Sequence, residues 1–178
     1  PIMAKFGIPS ISMCIGPNGM AKTSEDKIKI AKLLFDTGKK YGLKPWQYIF
    51  DVLTFTLATG EQEYANSAVE TLRGISLVKK EIPGCFTTLG LSNISFGLPS
   101  NARKIINSVF LHHALKAGLD TVIINAKDII PIGEIKEEQI KLVEDLIFNR
   151  HANALSDLIY YFENKNATVT RNEQRLEE

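Results

Sequence analysis

Short β-branched segments alternate with longer amphipathic segments along most of the chain, and glycine, proline or asparagine separates them. This alternation predicts four strand–helix units. The predicted strands cover residues 8–15, 48–50, 86–91 and 121–124. The predicted helices cover residues 24–41, 63–80, 101–117, 137–149 and 154–164. Repeated units of this kind favour a parallel sheet, because a parallel neighbour needs a crossover connection and the crossover is usually a helix.

Two α/β architectures fit the pattern. One is a small, open, doubly wound sheet with helices on both faces, and the other is half of an eight-stranded (β/α) barrel. Signals at the helix ends agree with either: Ser24 precedes two acidic residues as an N-cap would, and Gly42 and Gly118 are suited to helix C-termini. Both architectures place function at the carboxyl ends of the strands.

Polar residues follow every predicted strand at that end. They are Gly16 and Asn18 after the first strand, Asp51, Thr54 and Thr56 after the second, Ser92, Asn93 and Ser95 after the third, and Asn125 after the fourth. One carboxylate with several amides and hydroxyls suits recognition of a flat heterocycle that carries many hydrogen-bonding groups. Arg103 begins a helix, where the dipole gives a cation no advantage, and this favours an anionic ligand or partner nearby.

Composition narrows the function classes further. The chain has 178 residues, of which 44% are hydrophobic and 23% charged, as expected for one globular domain. A net charge of +1 gives no electrostatic reason to expect nucleic acid or an anionic membrane as partner. No apolar run reaches the ~20 residues that span a bilayer, so we expect a soluble, cytoplasmic protein. Cys14 and Cys85 have no metal-ligand spacing around them, and we expect no metal site.

The third unit resembles a known family. Residues 89–99 read LGLSNISFGLP, and Arg103, NSVFL at 107–111 and AGLD at 117–120 follow. This stretch resembles the pterin-binding domains of cobalamin-dependent methionine synthases, which bind methyltetrahydrofolate. Residues 19–23, 51–60 and 144–147 are similar to the same family, so the likeness covers about residues 1–162.

The resemblance implies a (β/α)8 TIM barrel, of which this chain would supply the last four βα units. Residues 1–165 would form the C-terminal half of the barrel. Residues 166–178 would form a linker and the start of a following helical domain that caps cobalamin. The implied partners are the N-terminal half of the barrel and a cobalamin-binding domain or corrinoid protein, and a homo-oligomer is also an open option.

The implied function is to bind 5-methyltetrahydrofolate as substrate and to support transfer of its N5-methyl group to cobalamin, in the methylation of homocysteine. The resemblance assigns Asp51 to the pterin ring and Asn93 to N5, with a catalytic role for Asn93. Gly90 and Ser92 would line the pocket, Asn125 would be the polar residue after the last strand, and Arg103 would contact the folate.

The sequence departs from the family at three points. Val52 stands where proline is common, Gly16-Pro17 replaces a common acidic pair, and Arg103 lies four residues after Pro99 instead of two. Two other functions remain open: a stand-alone methyltetrahydrofolate:corrinoid protein methyltransferase, and a non-catalytic truncated barrel that acts as a scaffold. As a fragment of a methyltransferase of the methionine synthase family, the isolated chain is expected to be inactive.

Overall fold

The computed structural model describes residues 2–164, and the predicted linker and helix start at 166–178 lie outside the described residues. The α-helices are α1 (Ile2–Phe6), α2 (Ser24–Lys39), α3 (Ser67–Glu81), α4 (Ser100–Ala117), α5 (Glu137–Ile147) and α6 (154–164). The strands are β1 (Ser10–Met13), β2 (Ile15–Gly16), β3 (Gly19–Met20), β4 (Tyr48–Asp51) and β5 (Phe86–Thr88). Short 3-10 helices cover Pro45–Gln47, Leu91–Ser95, Ala126–Asp128 and Ile132–Glu134.

The main sheet is parallel, and its strands lie in the order β1, β4, β5. Asp51 is the last residue of β4 and lies between Met13 of β1 and Thr88 of β5. Helices α2 and α3 form the crossovers between these strands, as the alternating pattern predicts. The prediction of parallel strands in sequential order is therefore confirmed for the first three units.

The fourth predicted strand, residues 121–124, is much shorter than expected. It is reduced to a single parallel bridge between Gly90 and Ile123, supported by a 2.8 Å hydrogen bond from Ile123 N to Leu89 O. Thr121 N also donates to Thr87 O at 3.1 Å, so the segment stays against β5 without forming a regular strand. The pairing does not extend before residue 121, because the Asp120 carboxylate accepts the backbone N–H of Thr87 at 2.8 Å, where an extended strand would offer a backbone carbonyl.

The Asp120 carboxylate should therefore be a strong stabiliser of the sheet edge. It also accepts the Thr87 hydroxyl at 3.1 Å and lies 2.9 Å from the Lys79 ammonium. We expect Asp120→Ala to lower the free energy of unfolding by about 1–3 kcal/mol, because the buried Thr87 N–H loses its acceptor. Asp120→Asn should lose less, since an amide oxygen still accepts. Urea denaturation of both variants measures the difference, and equal stability of Asp120→Ala and the wild type would contradict this account.

Three local features differ from the sequence prediction. Residues 15–20, expected as a strand end and a loop, form an antiparallel hairpin of β2 and β3, in which Gly19 adopts the positive φ of 102° that glycine tolerates. The N-cap of α2 is Thr23, whose hydroxyl accepts the backbone N–H of Asp26 at 3.1 Å, so the assignment to Ser24 is wrong by one residue. Helix α3 starts at Ser67, four residues later than predicted.

The sheet has two different faces. Phe50 and Thr87 lie on one face and are fully buried. On the other face Ile11, Ile49 and Phe86 stand side by side across the three strands, and Ile11 and Phe86 are 54% and 43% exposed. None of the helices within residues 2–164 has both the length and the apolar character needed to cross a membrane.

Candidate functional site

The carboxyl ends of β4 and β5 carry two loops that are bonded to each other. Leu57 N in the loop after β4 donates to Ile94 O in the loop after β5 at 3.1 Å. The Thr56 hydroxyl donates to Phe96 O across the same gap. Because β4 and β5 are parallel neighbours, Asp51 and Asn93 follow the same edge of the sheet. The structure thus joins the loop that follows Asp51 to the loop that holds Asn93.

Asp51 is half-buried, and its carboxylate is oriented by its own turn. Its Oδ1 accepts the backbone N–H of Leu53 at 2.9 Å. Burial raises the pKa of the Asp51 carboxyl above its ordinary value, while the bond from Leu53 and the nearby charge of Lys27 act in the opposite direction. One oxygen is therefore engaged with the backbone, and the second carboxylate oxygen can accept hydrogen bonds from a ligand.

Asn93 is exposed on the 3-10 helix Leu91–Ser95. Its amide nitrogen lies over Gly90, where an added Cβ would come within 3.1 Å of it. Because Gly90 has no side chain, the Asn93 amide has room to lie there. Gly90 also forms the parallel bridge to Ile123, so the turn that carries Asn93 is continuous with the sheet.

The loop after β5 rests on a buried polar cluster. The hydroxyl of Ser95, a fully buried residue, lies 2.8 Å from the side-chain oxygen of Asn107 and 3.2 Å from Ser92 O. Arg103 Nε donates to the same hydroxyl at 3.3 Å. Arg103, predicted to contact the folate, is thus bonded to the loop that carries the half-buried Ser92 and the exposed Asn93.

Asn125 is exposed and caps the 3-10 helix Ala126–Asp128. Its side-chain oxygen accepts the backbone N–H of Lys127 at 3.1 Å, and its backbone oxygen accepts that of Asp128 at 2.8 Å. It follows the short bridge at Ile123, which places it after the fourth sheet position as predicted. Its amide N–H groups are the part of the side chain that the cap does not use.

Sequence reasoning missed Lys27, which is fully buried despite its charge. Its ammonium group donates to Val52 O at 2.7 Å and to Ala21 O and Leu53 O at 3.1 Å each. Burial lowers the pKa of Lys27 to about 8. The signal in the sequence was its spacing, since residues 24, 27, 31 and 38 all lie on the buried stripe of α2.

The arrangement offers hydrogen bonds of both polarities over a short edge. The carboxylate of Asp51 accepts, the amides of Asn93 and Asn125 both donate and accept, and the hydroxyl of Ser92 does the same. Within residues 2–164 no group of three or more His, Cys, Asp or Glu side chains is placed to hold a metal ion. The chemistry of these side chains suits a polar, planar organic ligand.

Comparison with known proteins identifies the family. The family described as "Pterin binding enzyme" matches residues 1–125. This chain belongs to the pterin-binding enzyme family. The family is one of TIM barrels, and the parallel strands with outer helices seen here are consistent with part of such a barrel.

Two curated relatives of this chain carry the name methionine synthase. The one from Mycobacterium tuberculosis (strain ATCC 25618 / H37Rv) is 39% identical over 181 aligned positions, which cover 99% of this chain and 15% of the relative. The one from Mycobacterium leprae (strain TN) is 40% identical over 158 positions, which cover 88% of this chain and 13% of the relative. The predicted resemblance to a pterin-binding domain of methionine synthase is confirmed, and the chain spans about one seventh of these relatives.

Proposed function

We propose that this chain binds the pterin of 5-methyltetrahydrofolate and supports transfer of its N5-methyl group in an enzyme of methionine synthesis. The observation that carries the proposal is the pair of bonded loops at one sheet edge, which place the carboxylate of Asp51 and the exposed amide of Asn93 after neighbouring parallel strands. The family match and the methionine synthase relatives support the same ligand class.

In this proposal Asp51 binds the donor edge of the pterin. A reduced pterin presents adjacent N–H groups on its pyrimidine ring, and a carboxylate accepts such a pair in parallel hydrogen bonds. The Leu53 N–H, bonded to Asp51 Oδ1 at 2.9 Å, limits rotation of the carboxylate before the ligand arrives. Asp51 therefore contributes binding energy that is present in both substrate and transition state.

Asn93 is the proposed catalytic residue. An amine nitrogen is a poor leaving group, so N5 must carry a proton by the time that its bond to the methyl carbon breaks; it then keeps the electron pair of that bond and leaves as a neutral amine. The amide of Asn93 can accept a hydrogen bond from a protonated N5 and can donate one to an unprotonated N5, so it can follow this change. Gly90 leaves room for the amide, and Ser92 would contribute a hydroxyl to the pocket wall.

We assign supporting roles to Arg103 and Asn125. Arg103 holds the Ser95 hydroxyl beneath the loop of Asn93, and its remaining N–H groups are suited to an anionic part of the folate. Asn125 would offer its amide N–H groups to the pterin from the fourth sheet position.

The methyl acceptor in this proposal is cobalamin, held by another domain or by a corrinoid protein, and it supplies a nucleophilic cobalt that accepts the methyl group. This chain would contribute the folate side only. Its described residues offer carboxylate, amide and hydroxyl groups for the folate, and no metal-ligating cluster is needed for that task. The enzyme would act in the cytoplasm, where reduced folates are used.

We further propose that residues 1–165 pair with a preceding half barrel. The uncovered sheet face is apolar: Ile11, Met13, Phe86 and Ile123 are each between 43% and 58% exposed. An apolar patch of this kind is typical of a surface that another protein segment covers. In a closed barrel this face would be the packed interior, and the added strands would complete the wall of the pterin site.

Calorimetry with 5-methyltetrahydrofolate tests the proposed function. We expect micromolar binding by the full protein, with the half barrel that we propose precedes this chain. We expect weak or undetectable binding by the isolated chain, because half of the pocket wall is absent. Absence of binding by the full protein would overturn the proposed function. Micromolar binding by the isolated chain as a monomer would show that the other strands are dispensable.

A further inference from the structure

We propose that Lys27 is a positioning residue that locks the turn after β4 and thereby orients the carboxylate of Asp51 toward its ligand. The inference rests on the proposed pterin site for its functional consequence. Lys27 lies on α2, outside the strand-end loops, and its ammonium group is hydrogen-bonded to the turn. It does not contact the ligand in this proposal, so its effect passes through the backbone of the turn and through its charge, which acts on the Asp51 carboxylate.

The turn needs to be held, because its backbone is strained. Leu53 has a φ of 63°, a left-handed conformation that an L-residue without a short polar side chain rarely adopts. Such strain persists only where the surroundings fix it, and it is concentrated at functional sites. Here the strain has a visible result, since it aims the Leu53 N–H at Asp51 Oδ1 over 2.9 Å.

The carbonyl groups of the turn are fixed from below. Lys27 Nζ donates to Val52 O at 2.7 Å and to Leu53 O at 3.1 Å, and the buried hydroxyl of Thr71 lies 3.0 Å from Leu53 O and 2.8 Å from Ser67 O. The third ammonium hydrogen reaches Ala21 O at 3.1 Å, next to the hairpin that follows β1. Lys27 therefore joins the residue after β3 to the turn after β4, and it holds the carbonyls on both sides of the Leu53 Cα atom.

A glycine in α3 leaves space for the Lys27 side chain, although glycine lowers the stability of a helix. Gly74 lies inside α3, and a Cβ on it would come within 2.7 Å of Lys27 Cδ. A glycine within a helix is less stable than alanine, so its presence beside the lysine stem is best explained by this contact. The ammonium also lies 5.3 Å from the centre of the Phe55 ring, which compensates part of its lost hydration.

The lysine must be charged to hold all three carbonyls. An ammonium group has three N–H donors, whereas a neutral amine has two, so deprotonation leaves one buried carbonyl without its bond. The ionisable groups that act on Lys27 from neighbouring segments are Cys14 after β1, Asp51 on β4 and Glu70 on α3. Burial lowers the pKa of Lys27 to about 8, so the hold on the turn should weaken as the pH rises through that value.

The test compares Lys27→Met with Lys29→Met in the full protein. Methionine keeps much of the length of the stem without a donor, and Lys29 is an exposed residue of the same helix, so the control removes the same charge. We expect Lys27→Met to weaken the affinity for 5-methyltetrahydrofolate by at least tenfold, within the ~10²-fold that a displaced orienting group costs. The rate of methyl transfer from the bound folate should change much less. Lys29→Met should match the wild type in both measurements.

A second measurement needs no folate. Hydrogen exchange followed by mass spectrometry should show at least tenfold faster exchange in the peptide covering residues 51–57 of Lys27→Met, with unchanged exchange in α4. Gly74→Ala, which pushes on the lysine stem, should move the same peptide in the same direction. Because Gly74→Ala removes no donor, it keeps the inference testable even where Lys27→Met fails to fold.

Leu53→Asn provides a rescue. Asparagine adopts the left-handed region more readily than leucine, so it should restore part of the lost affinity in the Lys27→Met background. A lysine that only stabilised the core would not be rescued by a change in the turn. The wild type should also lose affinity as the pH rises through about 8, and Lys27→Met should lack that step.

The outcomes separate the two proposals. If the wild type fails to bind folate, the proposed function is wrong, and the exchange experiment still decides the role of Lys27. Unchanged exchange over residues 51–57 in Lys27→Met and Gly74→Ala would overturn the positioning role. So would equal loss of affinity in the lysine variant and in its Lys29→Met control.

Discussion

Asn93→Ala should slow methyl transfer from bound 5-methyltetrahydrofolate by about 10²-fold or more. Loss of one preorganised hydrogen bond to charge that develops in a transition state typically has an effect of this size. Folate affinity should change much less, because the interaction with N5 strengthens mainly as the bond from nitrogen to the methyl carbon breaks. Single-turnover transfer to added cobalamin gives the rate, and calorimetry gives the affinity separately.

A second variant, at Gly90, tests the position of the Asn93 amide and should have a smaller effect on the transfer rate. A Cβ at residue 90 would lie 3.1 Å from the amide nitrogen, so Gly90→Ala should displace the amide without removing it. We expect Gly90→Ala to slow transfer by less than Asn93→Ala does. Asn153→Ala, in the exposed turn before α6, is the matched control and should leave the rate unchanged. If Asn93→Ala lost affinity alone, with transfer from the bound folate intact, the catalytic role would be wrong.

The parallel order of the strands could be predicted because it depends on local patterns. Each strand is a short β-branched segment, each crossover is an amphipathic helix, and the two alternate. Parallel pairing then places the residues that follow the strands at one edge, so the proximity of the Asp51 and Asn93 loops follows from chain order alone. The bonds from Leu57 to Ile94 and from Thr56 to Phe96 agree with that reasoning.

The fourth strand shows where local pattern fails. Residues 121–124 are β-branched and apolar, yet the segment forms one bridge. A side chain limits the pairing at the start of the segment, since the carboxylate of Asp120 accepts the Thr87 N–H and the ladder does not extend before residue 121. Competition between a side-chain acceptor and a backbone acceptor depends on tertiary geometry, which strand propensity does not contain.

Lys27 and Leu53 show a second limit. A lysine on the buried stripe of a helix interrupts the apolar pattern, and the sequence does not show which groups would accept its hydrogen bonds. The structure shows that the acceptors are the backbone carbonyls of residues 21, 52 and 53. Leucine likewise gives no signal for a left-handed backbone, whereas glycine or asparagine would. The structure explains both residues at once, because the Lys27 ammonium group is hydrogen-bonded to the turn in which Leu53 adopts the strained conformation.

Asp51→Ala should have the complementary effect to Asn93→Ala and mainly weaken binding. The pterin edge that Asp51 holds is the same in the substrate and in the transition state, so its loss removes uniform binding and leaves the rate from the bound state nearly intact. A hydrogen-bonded charged group contributes ~1.5–3 kcal/mol, so we expect the affinity for 5-methyltetrahydrofolate to fall about tenfold to 10²-fold. Calorimetry and single-turnover transfer again separate the two quantities.

The role assigned to Asp51 also predicts the direction in which folate affinity changes with pH. Binding needs the ionised carboxylate, and burial raises the pKa of Asp51 above its ordinary value of 3.8. Affinity should therefore be full above that raised pKa and should fall as the pH drops through it, while Asp51→Asn should lack this step. Asp36→Asn, which removes an exposed carboxylate from α2, is the control for net charge and should keep the wild-type profile. A transfer rate that collapsed in Asp51→Ala with affinity unchanged would exchange the roles assigned to Asp51 and Asn93.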